Sequence, residues 1–213
     1  PLTEVTRLDP SRKELFHGGP WFLPGGRQFL YDRIGLNAEY NGTYLGSLDA
    51  KPEQQGTRRF LTNAFGVVYV PAVGRGSGDG HLLFTREGSL IAQPFDLPRM
   101  EPAGEAVSLA QDMISVGRGS PGPRPFSTSM TGVLAYRTRG PAGDDGTITQ
   151  LSWFDRTGKM LATAGDRGQY NSMDLSPDGT RVAVSRMSPE TAGAGSGRAA
   201  YEIWIYEFAR DTS

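Results

Sequence analysis

The sequence predicts an all-β fold assembled from a repeated unit, and three observations support this prediction. The first is a phrase in which an apolar residue leads into a Pro/Asp/Gly turn and then an alternating strand. The second is the even spread of 29 glycines and 15 prolines over 213 residues, which leaves room for strands but hardly for helices. The third is that no convincing apolar stripe has helical spacing. The copies of the phrase are Phe22–Tyr31, Phe126–Tyr136 and Leu175–Ser185.

The predicted strands fall into four consecutive groups, as expected for an array of like units. Before the first group, Ser11–Phe16 is predicted to form one helical turn that Gly18-Gly19-Pro20 ends. In chain order the predicted strands are Pro20–Leu23, Arg27–Arg33, Gly42–Leu48 and Arg58–Leu61; Val67–Val70, His81–Thr85, Ser89–Phe95 and Ala106–Ala110; Pro125–Ser129, Gly132–Thr138, Thr149–Phe154 and Lys159–Ala164; and Met173–Leu175, Arg181–Arg186 and Tyr201–Phe208.

The third strand of each group ends in an acid beside a turn. These acids are Asp49, Asp96, Asp155 and Glu207, at intervals of 47, 59 and 52 residues. Such spacing is typical of propeller blades of about 40 to 50 residues with loops of variable length. The sequence therefore predicts a β-propeller of about four four-stranded blades, either complete or part of a larger ring. Within a single domain over residues 1–213, the approximate blades are 20–62, 66–111, 114–165 and 169–213.

Two turns have a clear sequence explanation. In Ser176-Pro177-Asp178-Gly179, proline presets φ at the second position and glycine takes the left-handed position at the fourth. Asp155-Arg156-Thr157-Gly158 is predicted to form the same kind of turn between the third and fourth strands of its group. Both turns favour antiparallel hairpins.

The last group contains three predicted strands, whereas Glu4–Leu8 is a lone predicted strand at the start. This segment, residues 3–8, either closes the ring by completing the final blade or ends a preceding blade of a larger ring. Tyr201–Phe208 is apolar on both alternating faces, which favours burial between neighbouring blades. An open ring would expose two blade faces and is expected to associate as a homodimer.

Composition excludes several classes of function. The chain has 22 basic and 23 acidic residues, a formal net charge of -1, so nothing favours nucleic acid or an acidic membrane as a partner. The absence of cysteine excludes disulfides and thiolate sites. No apolar run approaches the ~18 residues of a membrane span, so we expect no direct membrane insertion. Because the sequence begins with Pro1, we expect it to be part of a longer product.

For each residue that could serve catalysis or nucleotide binding, a structural role explains the sequence better than a functional one. Neither His17, expected in a loop, nor His81, expected in a strand, lies near a credible serine nucleophile. Ser77 and Ser120 lack the Gly-x-Ser-x-Gly spacing. Gly117–Gly122 fits Gly-x-Gly-x-x-Gly, but prolines follow it and no helix pattern appears to hold a phosphate. We therefore predict no catalytic residue and no cofactor.

Metal, glycan and aromatic sites are also weighed against simpler explanations. Asp144-Asp145-Gly146 could offer carboxylates to Ca²⁺, but a hairpin tip is favoured and no metal is predicted. The repeated acids Asp49, Asp96 and Asp155 are expected to cap turns. Asn41-Gly42-Thr43 matches a glycosylation sequon. Core packing is expected for the strand aromatics, with a carbohydrate or peptide platform as the alternative. These aromatics are Trp21, Tyr136, Trp153, Trp204 and Tyr206.

The Leu175–Gly179 phrase followed by Arg181-Val182-Ala183 resembles the hallmark repeat of TolB-like, WD-repeat-like propellers of bacterial proteins. Further segments are similar to the propeller that follows the kinase domain in some bacterial serine/threonine kinases. Gly25 departs from the pattern, because the family usually has Asp in that turn, and the loops 74–80 and 192–197 are extended. The segments that carry the second likeness are Phe22–Tyr31, Gly42–Asp49, Leu82–Gly88, Gln93–Asp96, Thr131–Arg137 and Leu151–Arg156.

The resemblance implies a non-catalytic binding, sensor or protein-interaction module, the extracytoplasmic part of a receptor-like kinase. Its partner is expected to be a protein or peptide, or else a small ligand at the propeller mouth, and no ligand-binding residue can be assigned from the sequence. The expected location is periplasmic or extracytoplasmic, or cytoplasmic for a free-standing protein. One alternative is the gating propeller of a prolyl-oligopeptidase-like hydrolase without its catalytic domain. Another is a propeller enzyme such as a lactonase or glycosidase.

Overall fold

The structure, a computed structural model, describes residues 3–62, 64–72, 79–113, 124–138, 148–154, 159–188 and 200–208. Within these ranges the chain is all-β and its sheets are antiparallel, as the sequence predicts. The described residues divide into two compact units, one ending at Gln111 and the other beginning at Asp112. The prediction of one domain over the whole chain stays a prediction. Short 3-10 helices occur at Pro10–Arg12, Ala38–Tyr40 and Pro52–Gln54.

The first unit contains two sheets. Its strands are β1 (Glu14–Phe22), β2 (Gln28–Gly35), β3 (Gly42–Ser47), β4 (Arg59–Thr62), β5 (Phe65–Pro71), β6 (Asp79–Arg86), β7 (Ser89–Asp96), β8 (Glu101–Pro102) and β9 (Val107–Ala110). The first sheet is a meander in the order β1-β2-β3-β4, and the second runs β5-β6-β7 with β8 and β9 both on β7. The sheets thus reproduce the first two predicted strand groups closely.

The second unit contains smaller sheets. Its strands are β10 (Phe126–Thr128), β11 (Leu134–Tyr136), β12 (Thr149–Phe154), β13 (Met160–Gly168), β14 (Tyr170–Leu175), β15 (Arg181–Met187) and β16 (Tyr201–Glu207). They form the hairpins β10-β11 and β12-β13 and the three-stranded sheet β14-β15-β16. Among the described residues, β11 and β12 do not pair. The third predicted group is therefore two hairpins, where the sequence predicts one four-stranded blade.

Each unit has its own core. In the first unit, Leu23 and Leu30 of the first sheet pack with Val67, Leu82 and Phe84 of the second. In the second unit a smaller cluster joins the β14-β15 hairpin to residues of β11 and β12. Its buried members are Tyr170, Leu175, Val182 and Val184. Successive sheets within each unit are thus held together by apolar burial, the main favourable contribution to folding.

Equivalent glycines mark the first strand of each sheet in the first unit. Gly19 (φ +59°) and Gly66 (φ +64°) are 47 residues apart, and both lie at register shifts of their strands. A bulge with a left-handed glycine bends a strand without removing it from the sheet. Asp32 links the sheets, because its Oδ2 accepts from the Gly66 amide at 2.8 Å. The side chain of Asp32 therefore fixes the point at which the second sheet begins.

In the second unit, residues 47 positions apart contact each other directly. The Met130 amide donates to the Pro177 carbonyl at 2.9 Å, and the Thr131 hydroxyl donates to the Asp178 carbonyl at 3.0 Å. These residues occupy the same place in two copies of the repeated phrase. The predicted Pro177-Asp178-Gly179 turn is confirmed, with Gly179 at φ +67° and its amide 2.8 Å from the Ser176 carbonyl. The turns of consecutive repeats thus dock on each other.

The expected closing strand at Glu4–Leu8 is not formed. Residues 3–9 have no strand conformation, and Val5 packs on Phe29, Tyr31 and Tyr44 of the first sheet. The Val5 carbonyl accepts from the side chain of Gln55 at 2.8 Å, which takes the place of a ladder hydrogen bond. This segment therefore covers one face of the first sheet and does not complete the sheet of β14, β15 and β16.

Two further expectations about the start of the chain are wrong. The predicted helical turn over Ser11–Phe16 is replaced by the 3-10 helix Pro10–Arg12, after which β1 begins at Glu14. His17 consequently lies in a strand and not in a loop. The strand predicted from the sequence is shorter than β1, because Gly18-Gly19-Pro20 is typical of the end of an element. In the structure, a bulge accommodates both Gly19 and Pro20 within the strand.

Strand β16 is not buried on both sides, contrary to the expectation for Tyr201–Phe208. Ile203 and Ile205 are 72% and 58% exposed, and Tyr201 and Trp204 are exposed as well. Within the described residues β16 pairs only with β15, so it forms an edge of its sheet. A strand that is apolar on both faces can be buried on both of them. Whether it is buried depends on the neighbouring sheets, which the sequence of the strand does not specify.

Candidate functional site

A cavity of about 430 Å³ lies inside the second unit and is the strongest candidate site. Its walls come from β11, β12 and β13, with β14, β15 and Phe208 at the back. Cavities of this size match those that hold small ligands or a few peptide residues. The site is therefore located where β11 and β12 separate.

The cavity meets β11 and β12 at their edges. Every residue in the ranges 134–138 and 148–154 lines it. Successive side chains of a strand point to opposite faces, so a cavity touched by every residue in a row meets the edge of the strand. Among the described residues, β11 pairs only with β10 and β12 only with β13, apart from one bridge between Thr138 and Met113. Backbone donors and acceptors of both strands therefore border the cavity.

Aromatic and aliphatic side chains form most of the remaining wall. Trp153 packs edge-to-face on Phe208, and Tyr170 lies beneath them in the core of the unit. Leu134 and Leu175 contribute aliphatic surface. The side-chain amide of Gln150 is already engaged, because it donates to the Gly165 carbonyl at 2.8 Å. The walls therefore favour an apolar ligand surface.

The charged residues that line the cavity are both arginines, Arg137 and Arg167, and no acid lies among the described lining residues. The Arg137 amide donates to the Pro125 carbonyl at 2.8 Å, and its Nη1 donates to the Asn171 carbonyl. Its Nε is buried and has no hydrogen-bond partner among the residues that the structure describes. Burial lowers the pKa of Arg137, because desolvation disfavours the charged form. The cavity is thus a positively charged, largely apolar site.

The two histidines lie in the first unit and are not among the residues that line this cavity. His17 Nε2 is 3.0 Å from Glu14 Oε2, and its ring packs edge-on against Tyr31. Burial lowers the pKa of His17, and the hydrogen bond to Glu14 opposes that effect. His81 lies in β6, opposite Val70, as the predicted strand residue. The contacts of His17 are those of a packed structural residue.

A buried ionic cluster in the first unit was missed at the sequence level. The side chains of Glu14 and Arg33 are 2% and 6% exposed and lie 3.5 Å apart. Arg33 also donates from Nε to the Tyr31 hydroxyl at 2.8 Å and from Nη2 to the Gly56 carbonyl at 2.8 Å, and it stacks over the Tyr44 ring. Buried charges are tolerated when they are paired in this way. The available signal was a charged pair in strands that are otherwise apolar, but the predicted β1 did not include Glu14.

The repeated acids do not share one role. The Asp96 carboxylate accepts from the Arg99 amide at 2.9 Å and caps its turn, as predicted. The Asp49 carboxylate instead pairs with Arg27 across the ends of β2 and β3, so the capping prediction is wrong there. Asp155 lies outside the described residues, as do Ser77, Ser120, Gly117–Gly122 and Asp144–Gly146. Equal spacing therefore indicates equal position in the repeat but not equal contacts.

The remaining sequence candidates have mixed outcomes. Trp21 and Tyr206 pack against the two cores, as expected, whereas Trp204 is exposed. Tyr136 and Trp153 line the cavity, and the platform alternative stays a prediction for them. The sequon residue Asn41 uses its side-chain amide internally, since Oδ1 accepts from the Gly35 amide at 2.8 Å and Nδ2 donates to the Gly35 carbonyl at 3.2 Å.

Membrane-spanning helices and metal-binding clusters are both absent from the residues that the structure describes. Over those ranges, no helix is long and apolar enough to cross a membrane. The same ranges contain no group of three or more His, Asp or Glu residues placed to hold a metal ion.

Comparison with known proteins gives a likeness of fold. No family model matches the chain, and no curated protein sequence matches it either. Among the solved structures that match is Kuenenia stuttgartiensis hydrazine synthase, with a TM-score of 0.51 and 14% sequence identity over 88% of this chain. The chain spans 50% of the length of that one. At this identity the likeness concerns the arrangement of the chain alone.

Proposed function

We propose that this chain is a non-catalytic protein-interaction module built on propeller blades, and that an extended peptide binds in the cavity of the second unit. The observation that carries the proposal is the cavity bordered by the strand edges of β11 and β12. An exposed strand edge takes a further strand through main-chain hydrogen bonds, and adjoining pockets select its side chains. Under this proposal, the protein or peptide partner expected from the sequence binds at these strand edges.

The propeller architecture is supported by contacts between repeats. Blades arranged around a common axis bring together the corresponding turns at one end of their strands. Such contacts link Met130 with Pro177 and Thr131 with Asp178, each pair 47 residues apart. In the first unit, β1 and β5, the first strands of consecutive sheets, pack on each other. The TolB-like, WD-repeat-like resemblance agrees with this arrangement, and a role as the extracytoplasmic sensor of a receptor-like kinase is part of the proposal.

The lining residues favour a peptide over a purely hydrocarbon ligand. A peptide offers amides to the backbone groups of β11 and β12 and side chains to the apolar walls around Trp153 and Leu134. A hydrocarbon ligand would leave those backbone groups without partners, which is costly in a site closed to water. The expected ligand is therefore a short extended segment with alternating apolar side chains.

The test is binding of C-terminally displayed random peptides to the purified chain. The affinity of the selected peptides is then measured through tryptophan fluorescence in a background with Trp21→Phe and Trp204→Phe, where Trp153 is the remaining tryptophan. Ala164→Leu fills space in the cavity wall and should weaken binding at least tenfold. Ala162→Leu is the matched control, because Ala162 is two residues away on β13, is exposed and does not line the cavity. Selected peptides that bind both variants like the wild-type chain, or a selection that enriches nothing, would refute the assignment.

A further inference from the structure

We propose that residues 3–8 form a releasable strap, and that the face of the first sheet beneath it binds an extended segment of a partner polypeptide in the strap's place. The part of the sheet in question is the aromatic row, which consists of Phe29, Tyr31 and Tyr44. This inference concerns the first unit and does not depend on the cavity of the second unit. It starts from the way in which the strap is held.

The strap is attached to the sheet mainly through one residue. The side chain of Val5 packs against the aromatic row, and its carbonyl accepts from Gln55 Nε2 at 2.8 Å. The ion pair between Arg7 and Glu53, 4.0 Å apart, lies at the surface, where such pairs contribute little. Among the described residues, no backbone–backbone hydrogen bond joins residues 3–8 to a strand. A segment held in this way opens at a lower free energy than the sheet that it covers.

Gln55 keeps other partners when the strap leaves. Its side chain is buried, and its Nε2 lies 2.8, 2.9 and 3.3 Å from the carbonyls of Val5, Ser47 and Ala50. An amide nitrogen has two protons to donate, so two of these three acceptors are sufficient. The Gln55 Oε1 also accepts from the Ser47 amide at 2.9 Å. Release therefore leaves Gln55 with an acceptor for each proton, and the cost of an unpaired buried donor does not arise.

The chain that follows the strap is anchored independently of it. The Asp9 carboxylate accepts from the Ser11 amide at 2.9 Å and caps the 3-10 helix. The Asp9 amide donates to the buried Glu14 carboxylate at 2.7 Å, and Glu14 is paired with Arg33. None of these contacts involves residues 3–8. Opening at the bond between Leu8 and Asp9 therefore leaves the start of β1 in place.

The uncovered face has the chemistry of a peptide-binding surface. With the strap in place, Phe29, Tyr31 and Tyr44 are at most 4% exposed, and their neighbouring ring centroids are 5.5 and 6.3 Å apart. Aromatic rings in such a row supply apolar contact area for an anchoring side chain. Gln55 adds a donor for a main-chain carbonyl. The expected partner is an extended segment in which one aliphatic β-branched residue provides both groups, as Val5 does.

A peptide supplied in trans tests this surface. The probe is fluorescein-labelled Thr-Glu-Val-Thr-Arg-Leu-Asp with a C-terminal amide, the sequence of residues 3–9. In Val5→Asp a charge replaces the anchoring side chain, so the strap is expected to leave the aromatic row. By fluorescence anisotropy, the peptide should bind Val5→Asp at least about tenfold more tightly than the wild-type chain, because a docked strap leaves only a small fraction of the wild-type face open. The same peptide with Asp in place of Val should bind neither chain.

Two further forms of the chain control this result. Leu8→Asp is the matched variant, because Leu8 belongs to the strap but is 42% exposed, so peptide binding should equal that of the wild-type chain. A chain that begins at Asp9 lacks the strap and should bind the peptide as tightly as Val5→Asp does. Urea denaturation of both forms shows whether they fold. If neither unfolds cooperatively, residues 3–8 are part of the core, which would overturn the release of the strap.

The binding data decide between the remaining outcomes. Equal binding of the Val and Asp peptides to the chain that begins at Asp9, or binding of neither, would overturn recognition by the aromatic row. That chain is also mixed with the full-length chain, with Ile203→Lys in both so that the exposed strand β16 does not pair. A complex in this mixture would assign the face to the strap of a second copy and would overturn a separate partner.

Discussion

Single side chains hold the first unit together at the points where its sheets meet. Asp32 is 6% exposed, accepts from the Gly66 amide, and lies 2.9 Å from the Thr43 hydroxyl. That hydroxyl is also 2.9 Å from the Ala64 carbonyl, and its single proton can go to one of the two acceptors. The Gly66 amide is therefore the donor through which the side chain of Asp32 links the sheets.

Asp32→Ala should lower the free energy of unfolding by about 1–3 kcal/mol, because the Gly66 amide loses its acceptor. Asp49→Ala is the control, since its carboxylate lies at the surface and exposed ion pairs contribute about 0–1 kcal/mol. Urea denaturation of both variants provides the measurement. Equal midpoints for the two variants would show that Asp32 does not link the sheets.

His17 should make the first unit sensitive to mild acid. Burial lowers its pKa in the folded chain, so between that value and the unfolded value of about 6.5 the unfolded chain binds more protons. Stability from His17 is therefore complete above about pH 6.5 and is lost as the pH falls through the folded pKa. His17→Gln keeps a donor toward Glu14 but does not titrate, so its melting temperature should fall less than that of the wild-type chain from pH 7 to pH 5. If the melting temperatures of the two proteins fell equally from pH 7 to pH 5, His17 would not be the source of the acid sensitivity.

At the level of elements, β16 carries the largest mismatch between sequence pattern and environment. Its outer edge is unpaired among the described residues, and it contains neither proline nor lysine, the residues that usually protect such an edge. If two copies of β16 pair antiparallel about Trp204, Ile203 faces Ile205 and each glutamate faces a tyrosine. No like charges would then meet, so self-pairing is chemically compatible.

We expect the purified chain to associate as concentration rises, and Ile203→Lys to suppress that association. The control is Leu36→Lys, because Leu36 is 73% exposed in the first unit and Ile203 is 72% exposed. Sedimentation velocity over a concentration series measures the effect. A wild-type chain that stays monomeric, or two variants that behave alike, would exclude pairing through β16.

At the level of the whole molecule, the prediction of one domain has a direct test. Leu82 is fully buried in the first unit, and Leu82→Ala should cost about 2–5 kcal/mol there. In a Trp21→Phe background the remaining tryptophans, Trp153 and Trp204, lie in the second unit and report its unfolding. If the chain unfolds as one domain, Leu82→Ala lowers the midpoint of the unfolding transition that the fluorescence of these tryptophans reports. The half-exposed Leu109→Ala serves as the control, and an unchanged transition in the Leu82 variant would show independent domains.

Local sequence patterns predicted most of the strands, their order and their turns, apart from the strand expected at Glu4–Leu8 and the start of β1. Alternating apolar residues and turn-forming Pro, Asp and Gly act over a few neighbours, so they could be read directly at Leu175–Ser185 and its copies. The pairing of strand edges could not be predicted in this way, because the separation of β11 from β12 and the exposure of Ile203 depend on residues far apart in the chain. The same holds for the cavity, because its lining residues come from five strands of the second unit, β11 to β15, together with Phe208 and residues next to these strands.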